Sequence, residues 1–428
     1  MMNKQSKWFA FLFAFAFYAI EEGHVCAQSQ AEFYIQSESE QKVTIPFELI
    51  NNLIVIEASI NGSVPLKFVL DTGVGTTLIT GLPNNEDVYL KHSREITLAG
   101  LGENEPRKAY LSEKNSMQLK GVRGENIDIA VLFEDIFNLS SFMGTYIHGL
   151  TGYDLFANFV VEINYIKQRI YLYEPGAFKR KFERLPMHRK WHKFPIVLEK
   201  QKPYIYLNFK HSKIDSLRQV KLLIDSGASN AFSFYKSSDD SFKIPNSNIK
   251  SLIGIGLSGV VNGKIGRVHQ VALGNFKFKE PIVAFPDSAS VAKALQLSDR
   301  NGSVGGEILR RFKVIFHYKD GYLLVRRNSN FKKDFNYNMS GVEVVTPLPN
   351  LPFYIVSKVR QDSPAHKAGV MEADIIKKIN GTKVEILSLN EVLKILGRKQ
   401  GLKIKMEVQR DSTIKKFNFQ LQNELAVD

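Results

Sequence analysis

Apolar residues along this chain fall mostly in short runs rich in Val, Ile, Tyr and Phe, broken by Gly, Asn and Asp. Runs this short, bounded by turn residues, predict β-strands and a mainly β protein. A helical stripe appears near the end, where Leu389, Val392, Leu393 and Leu396 follow i, i+3, i+4, i+7 spacing. That periodicity predicts a helix with one buried face. Elsewhere the run Phe68-Val69-Leu70 leads straight into Asp71-Thr72-Gly73. Burying a lone carboxylate is costly or forces it to take up a proton. An aspartate at the end of a buried strand is therefore either a surface turn or one half of a pair.

The chain repeats the arrangement. Lys221-Leu222-Leu223-Ile224 runs into Asp225-Ser226-Gly227. Downstream of Asp71 lie Gly149-Leu150-Thr151-Gly152 and Phe159–Tyr165, and downstream of Asp225 lie Gly302-Ser303-Val304-Gly305 and Phe312–Tyr318. Gly152 follows Asp71 by 81 residues, and Gly305 follows Asp225 by 80. Upstream, Ile45-Pro46-Phe47 matches Phe194-Pro195-Ile196. Independent surface turns would not carry matching strands at matching distances, so one fold is used twice.

The 428 residues, 44% hydrophobic and 23% charged, suit a soluble protein of two or three domains. Lys4 and Lys7 precede the apolar run Trp8–Ile20, and Val25-Cys26-Ala27 offers small residues for cleavage. This is the plan of a secretory signal peptide, residues 1–27, on a periplasmic, extracellular or cell-surface protein. A lipid anchor at Cys26, the single cysteine, is the minor reading. The net charge of +14 raises nucleic acid as a partner, but no reader motif accompanies it. The basic run around Lys179–Lys193 reads as a linker able to touch an anionic envelope surface. No metal or other cofactor is expected. His188 and His192 are spaced i,i+4 but lack a third ligand nearby.

The paired Asp-Thr-Gly and Asp-Ser-Gly loops, each after an apolar strand, resemble the active-site loops of aspartic proteases. The short lobes most resemble retropepsins, with both lobes in one chain. The resemblance implies two pseudo-symmetric β-barrel lobes, residues 43–175 and 194–328, joined by a basic linker at 176–193. It implies catalysis by an Asp71/Asp225 dyad sharing one proton and activating water on a polypeptide substrate. Thr72, Gly73, Ser226 and Gly227 would support the loops. Gly100 and Gly102 in one lobe, and Gly254, Gly256 and Gly259 in the other, would form substrate flaps. Ser303 sits in a stretch that faintly resembles a serine-protease nucleophile loop, but Val304 interrupts it and no His stands in a matching context.

After a linker at 329–341, residues 342–425 resemble a bacterial-type PDZ domain, a small β-barrel with two helices. The resemblance rests on Asp362-Ser363-Pro364-Ala365, Asp374-Ile375-Ile376, Ile379-Asn380-Gly381 and the Leu389–Leu396 stripe. It implies a groove for a C-terminal or extended peptide, lined by Leu351, Phe353, Tyr354, Leu389 and Leu393. The expectation is thus an exported aspartic endopeptidase with a PDZ docking domain. The alternative is a non-catalytic, peptide-binding envelope scaffold that keeps the same fold.

Overall fold

The computed structural model describes residues 17–20, 31–82, 87–183 and 190–427. Apart from a short strand at Phe17–Ile20, the expected signal peptide and Cys26 lie outside the described residues. The protein is mainly β with few helices.

Strand order displays the duplication directly. In the first lobe the order runs Glu48–Ile50, Leu53–Ile60, Leu66–Leu70, Gly149–Thr151, Thr77–Ile79, Val122–Leu132, Arg107–Leu119, Ser93–Gly100. In the second it runs Val197–Glu199, Lys202–Lys210, Arg218–Ile224, Gly302–Val304, Phe232–Phe234, Ile282–Pro286, Gly259–Arg267, Asn248–Gly256. Leu66–Leu70 pairs in parallel with Gly149–Thr151, as Arg218–Ile224 does with Gly302–Val304. Strands in such parallel pairs are covered on both faces and need unbroken apolar runs. Leu70 and Ile224 are both buried accordingly.

A third sheet ties the lobes together. Its order is His192–Pro195, Tyr322–Arg327, Phe312–His317, Val160–Asn164, Arg169–Tyr173, Lys42–Pro46. Three strands come from each half, and they meet where Val161 pairs with Phe316 and Ile163 with Val314. The matching segments Ile45-Pro46 and Phe194-Pro195 occupy the two outer strands.

Neither expected linker is a free spacer. Pro175–Glu183 is a helix with Phe178 buried, and His192–Pro195 belongs to the shared sheet. Pro at a helix start is favourable because its missing N–H would be unsatisfied there anyway. His192 packs edge-on against Phe276 at 4.6 Å, while His188 is outside the described residues. In the 329–341 segment, Phe335 and Met339 are buried. The buried Arg311 guanidinium donates to the carbonyls of Phe331, Lys333 and Asp334 and lies 3.8 Å from the Phe335 ring centroid.

The C-terminal domain has its own core and a sheet ordered Val342–Val345, Tyr354–Val359, Ile375–Ile379, Lys403–Arg410, Thr413–Gln420. The predicted helix is Leu389–Leu396, with Leu389, Val392 and Leu396 buried. Ser388 and Glu391 close its first turn as a capping box, satisfying two otherwise orphaned N–H groups.

Candidate active site

Each lobe delivers its aspartate by the same backbone device. The Asp71 N–H donates to Thr151 O at 2.8 Å, and the Asp225 N–H donates to Val304 O at 2.9 Å. The two loops then lock each other. The Thr72 N–H donates to Ser226 Oγ at 3.0 Å, and the Ser226 N–H donates to Thr72 Oγ1 at 3.0 Å. Thr72 Oγ1 donates onward to Ile224 O (2.7 Å) and Ser226 Oγ to Leu70 O (2.8 Å). All four bonds cross between lobes and are buried, where hydrogen bonds are costly to lose.

Glycine is required beside the pair. The Gly73 N–H donates to Asp71 Oδ1 at 2.7 Å. A Cβ on Gly227 would lie 2.2 Å from Asp71 Oδ2, so the second lobe's loop presses directly on the first lobe's carboxyl. Asp71 and Asp225 are 0% and 1% exposed, which makes desolvation the leading effect on both. Burial and then repulsion from Asp225 hold the Asp71 carboxyl well above the usual carboxylate range, against the Gly73 N–H and Lys202. Burial also raises Asp225, against Arg300 and Lys202. Two buried carboxyls that repel each other cannot both ionise cheaply, so their titrations are coupled.

The expected flap glycines are brought together at the tips of two hairpins. The Ser258 N–H donates to Leu101 O at 2.9 Å, and the Gly100 N–H donates to Ser258 Oγ at 3.3 Å. A Cβ on Gly102 would lie 2.3 Å from the Ser258 carbonyl, and one on Gly256 would lie 2.2 Å from Leu101 O. Gly102 and Gly259 have φ of 118° and 98°, the left-handed range that favours glycine. Gly254 lies within its strand, next to a register shift at Leu252/Gly254. The tips are exchanged: Leu101 belongs to a buried apolar cluster with Ala228, and Leu257 to one with Val74, so each tip packs into the other lobe's apolar core.

Sequence reasoning missed two cations. Lys202 and Arg300 are 1% and 0% exposed. Burial holds the Lys202 ammonium well below its usual range, with Arg300 adding to the shift and the two aspartates opposing it. Their signal is legible only through the duplication, because Lys202 and Arg300 stand where the first lobe has Leu53 and Ile147. Register also fixes the counterpart of Ser303 in the first lobe. Leu150 faces Val69 as Ser303 faces Leu223, so Ser303 corresponds to Leu150 and Thr151 to Val304. Ser303 is a buried strand residue. Among the described residues, no three His, Cys, Asp or Glu side chains gather to hold a metal.

The expected peptide groove of the C-terminal domain needs a correction. The strand after Phe353, Tyr354–Val359, is already paired on both sides, by Val342–Val345 and Ile375–Ile379. It offers no free edge at Tyr354–Val356 to which a peptide could add. The Tyr354 hydroxyl donates to Leu387 O at 2.6 Å, and Leu389 is buried beside Gly144 of the first lobe. Leu351 is exposed, whereas Phe353 and Leu393 are half-buried. The 346–353 loop docks on the first lobe, with the Thr346 N–H donating to Ser141 O (3.0 Å) and the Asn350 N–H to Gly144 O (3.1 Å).

The family described as "PDZ domain" matches residues 338–421. Three curated relatives also match, each over part of its length. "Probable CtpA-like serine protease" of Staphylococcus saprophyticus is 29% identical over 104 residues, 23% of this chain and 21% of the relative. "Carboxy-terminal processing protease CtpA" of Bacillus subtilis is 27% identical over 115 residues, 27% of this chain and 24% of the relative. A second "Probable CtpA-like serine protease", from Staphylococcus haemolyticus, is 27% identical over 96 residues, 22% of this chain and 19% of the relative. The chain therefore spans about a fifth to a quarter of these relatives' length. The names overturn the expectation of an aspartic, retropepsin-like endopeptidase, because the relatives are proteases of the serine type. The C-terminal expectation stands: residues 338–421 are a PDZ domain.

Proposed function

We propose that this chain is an exported, peptide-processing protein whose PDZ domain engages a polypeptide away from the paired Tyr354–Val356 edge, with the lobe interface at Asp71 and Asp225 as a place where the bound segment is held. One observation carries the reading: each lobe contributes one buried carboxyl, and Thr72 and Ser226 lock the two loops reciprocally. Carboxyls kept in their protonated form by burial can both donate to and accept from a bound peptide group. Thr72, Gly73, Ser226 and Gly227 position the pair, and the meeting hairpin tips around Gly102 and Gly259 cover it. The name of the Bacillus subtilis relative, a carboxy-terminal processing protease, supports a protein's carboxy terminus as the captured segment. The PDZ domain also favours a second reading, a peptide-binding envelope scaffold that does not cleave.

Incubating a random peptide library with the full chain, read by mass spectrometry, separates these readings. The expected result is peptide binding by the wild type that is weakened in both Asp71→Asn and Asp225→Asn. A fluorophosphonate probe, which labels reactive serines, is run alongside. Labelling together with cleavage that survives both substitutions would move the chemistry to a serine, as in the named relatives. Peptide binding without cleavage by any form would favour the scaffold.

A further inference from the structure

A cavity of about 1020 Å³ lies away from the aspartate pair, where the second lobe, the 329–341 segment and the end of the PDZ domain meet. Lys213, Lys277, Lys279, Lys332, Lys333 and Lys399 line it, all exposed, against only two carboxylates, Glu280 and Asp334. Among the described residues, none of these six ammonium groups is joined to a carboxylate.

The walls are built rather than incidental. Lys277 and Lys279 alternate with the buried Phe276 and Phe278 on one strand, so both project to the same side. Lys332 and Lys333 sit on the segment whose carbonyls Arg311 holds. Arg267 ties two walls together, donating to Glu280 O at 2.8 Å and to Phe335 O at 3.0 Å.

Six like charges around one concavity repel each other, and the concave shape focuses their field. A ligand with several linked negative charges relieves that repulsion, and the volume exceeds what one small ion fills. Lysine ammonium groups bind phosphate as compact point charges and impose no bidentate geometry, which suits a ligand whose phosphates repeat along a flexible chain. We propose that this cavity binds a linear polyanion carrying repeated phosphate groups. Its occupant would bridge the second lobe and the PDZ domain.

The test measures binding of fluorescently labelled inorganic polyphosphate to the full chain. Reversing four charges at the cavity (K277E, K279E, K332E, K333E) should raise Kd at least roughly tenfold, because focusing depends on local charge. The control K91E with K120E adds negative charge to exposed positions outside the cavity and should stay within about twofold. Circular dichroism verifies folding, and the same four lysines changed to Gln provide a milder version if charge reversal unfolds the chain. Equal weakening by the control would overturn the proposal, leaving only general attraction to a basic protein. So would competition by monomeric inorganic phosphate at equal phosphate concentration. Binding confined to anionic phospholipid vesicles, with none to polyphosphate, would assign the lysines to a membrane surface and overturn it too.

Discussion

The first lobe buries Leu53, Val55, Ile147 and Leu150 in an apolar cluster, whereas the second buries Lys202, Tyr204, Arg300 and Ser303 at the equivalent positions. Backbone pairing is the same in both, since Val55 faces Val69 as Tyr204 faces Leu223. The duplicated frame therefore resides in strand order and main-chain bonds, which leave the side chains behind the aspartates free to diverge. The divergence has an electrostatic outcome. Lys202 favours the charged form of both aspartates, and Arg300 favours that of Asp225.

The sharpest way to break this comparison is to remove a cation. Arg300→Ala should destabilise the chain by about 3–5 kcal/mol, the usual loss when a buried charged group is deleted and its neighbours are left uncompensated. Lys202→Leu, which installs the first lobe's residue in the second, should cost less than Arg300→Ala, because burial already disfavours the charged form of Lys202 and an apolar side chain carries no such penalty. Denaturant unfolding measures both. Similar losses from the two would mean that the cations are not distinct in role.

The cross-lobe hydroxyls should behave alike where the interiors do not. Ser226→Ala and Thr72→Val each remove one side-chain donor and one acceptor from buried bonds, costing about 1–3 kcal/mol by thermal unfolding. Unequal losses would show that the lock is one-sided.

The smallest effect is a gain. Both aspartates have folded pKa values raised above their unfolded ones, so their contribution favours the fold at low pH and is lost as pH rises through the folded values. Asp71→Asn should therefore raise stability at pH 8 and change it little below about pH 4. A loss of stability at pH 8 would contradict the burial argument.

Much of this was legible in the chain before any fold was drawn. The Asp71 and Asp225 loops, the matching strands and the PDZ stripe depend on neighbouring residues or on repetition, which a sequence displays. What escaped depends on distant segments. Lys202 follows Lys200-Gln201 at a hairpin turn and reads as solvated, yet chain from elsewhere covers it. The second lobe's loop is the longer by one residue, with Phe232 standing at the position of Thr77. The PDZ edge escaped because a strand's partners lie outside its own sequence, and Val342–Val345 occupies the place left for a peptide.

The sheet shared by the lobes bears on how the protein is made. Its central pairing joins Val161 to Phe316, partners 155 residues apart in sequence. A ribosome adding about 5–20 residues per second delivers the second partner many seconds after the first. Through that interval the Val160–Asn164 strand has one edge unpaired, and exposed edges of this kind are where chains aggregate. Pairings so distant in sequence also close slowly. Neither half can complete the shared sheet on its own, so that sheet closes only once the strand ending at Arg327 is available.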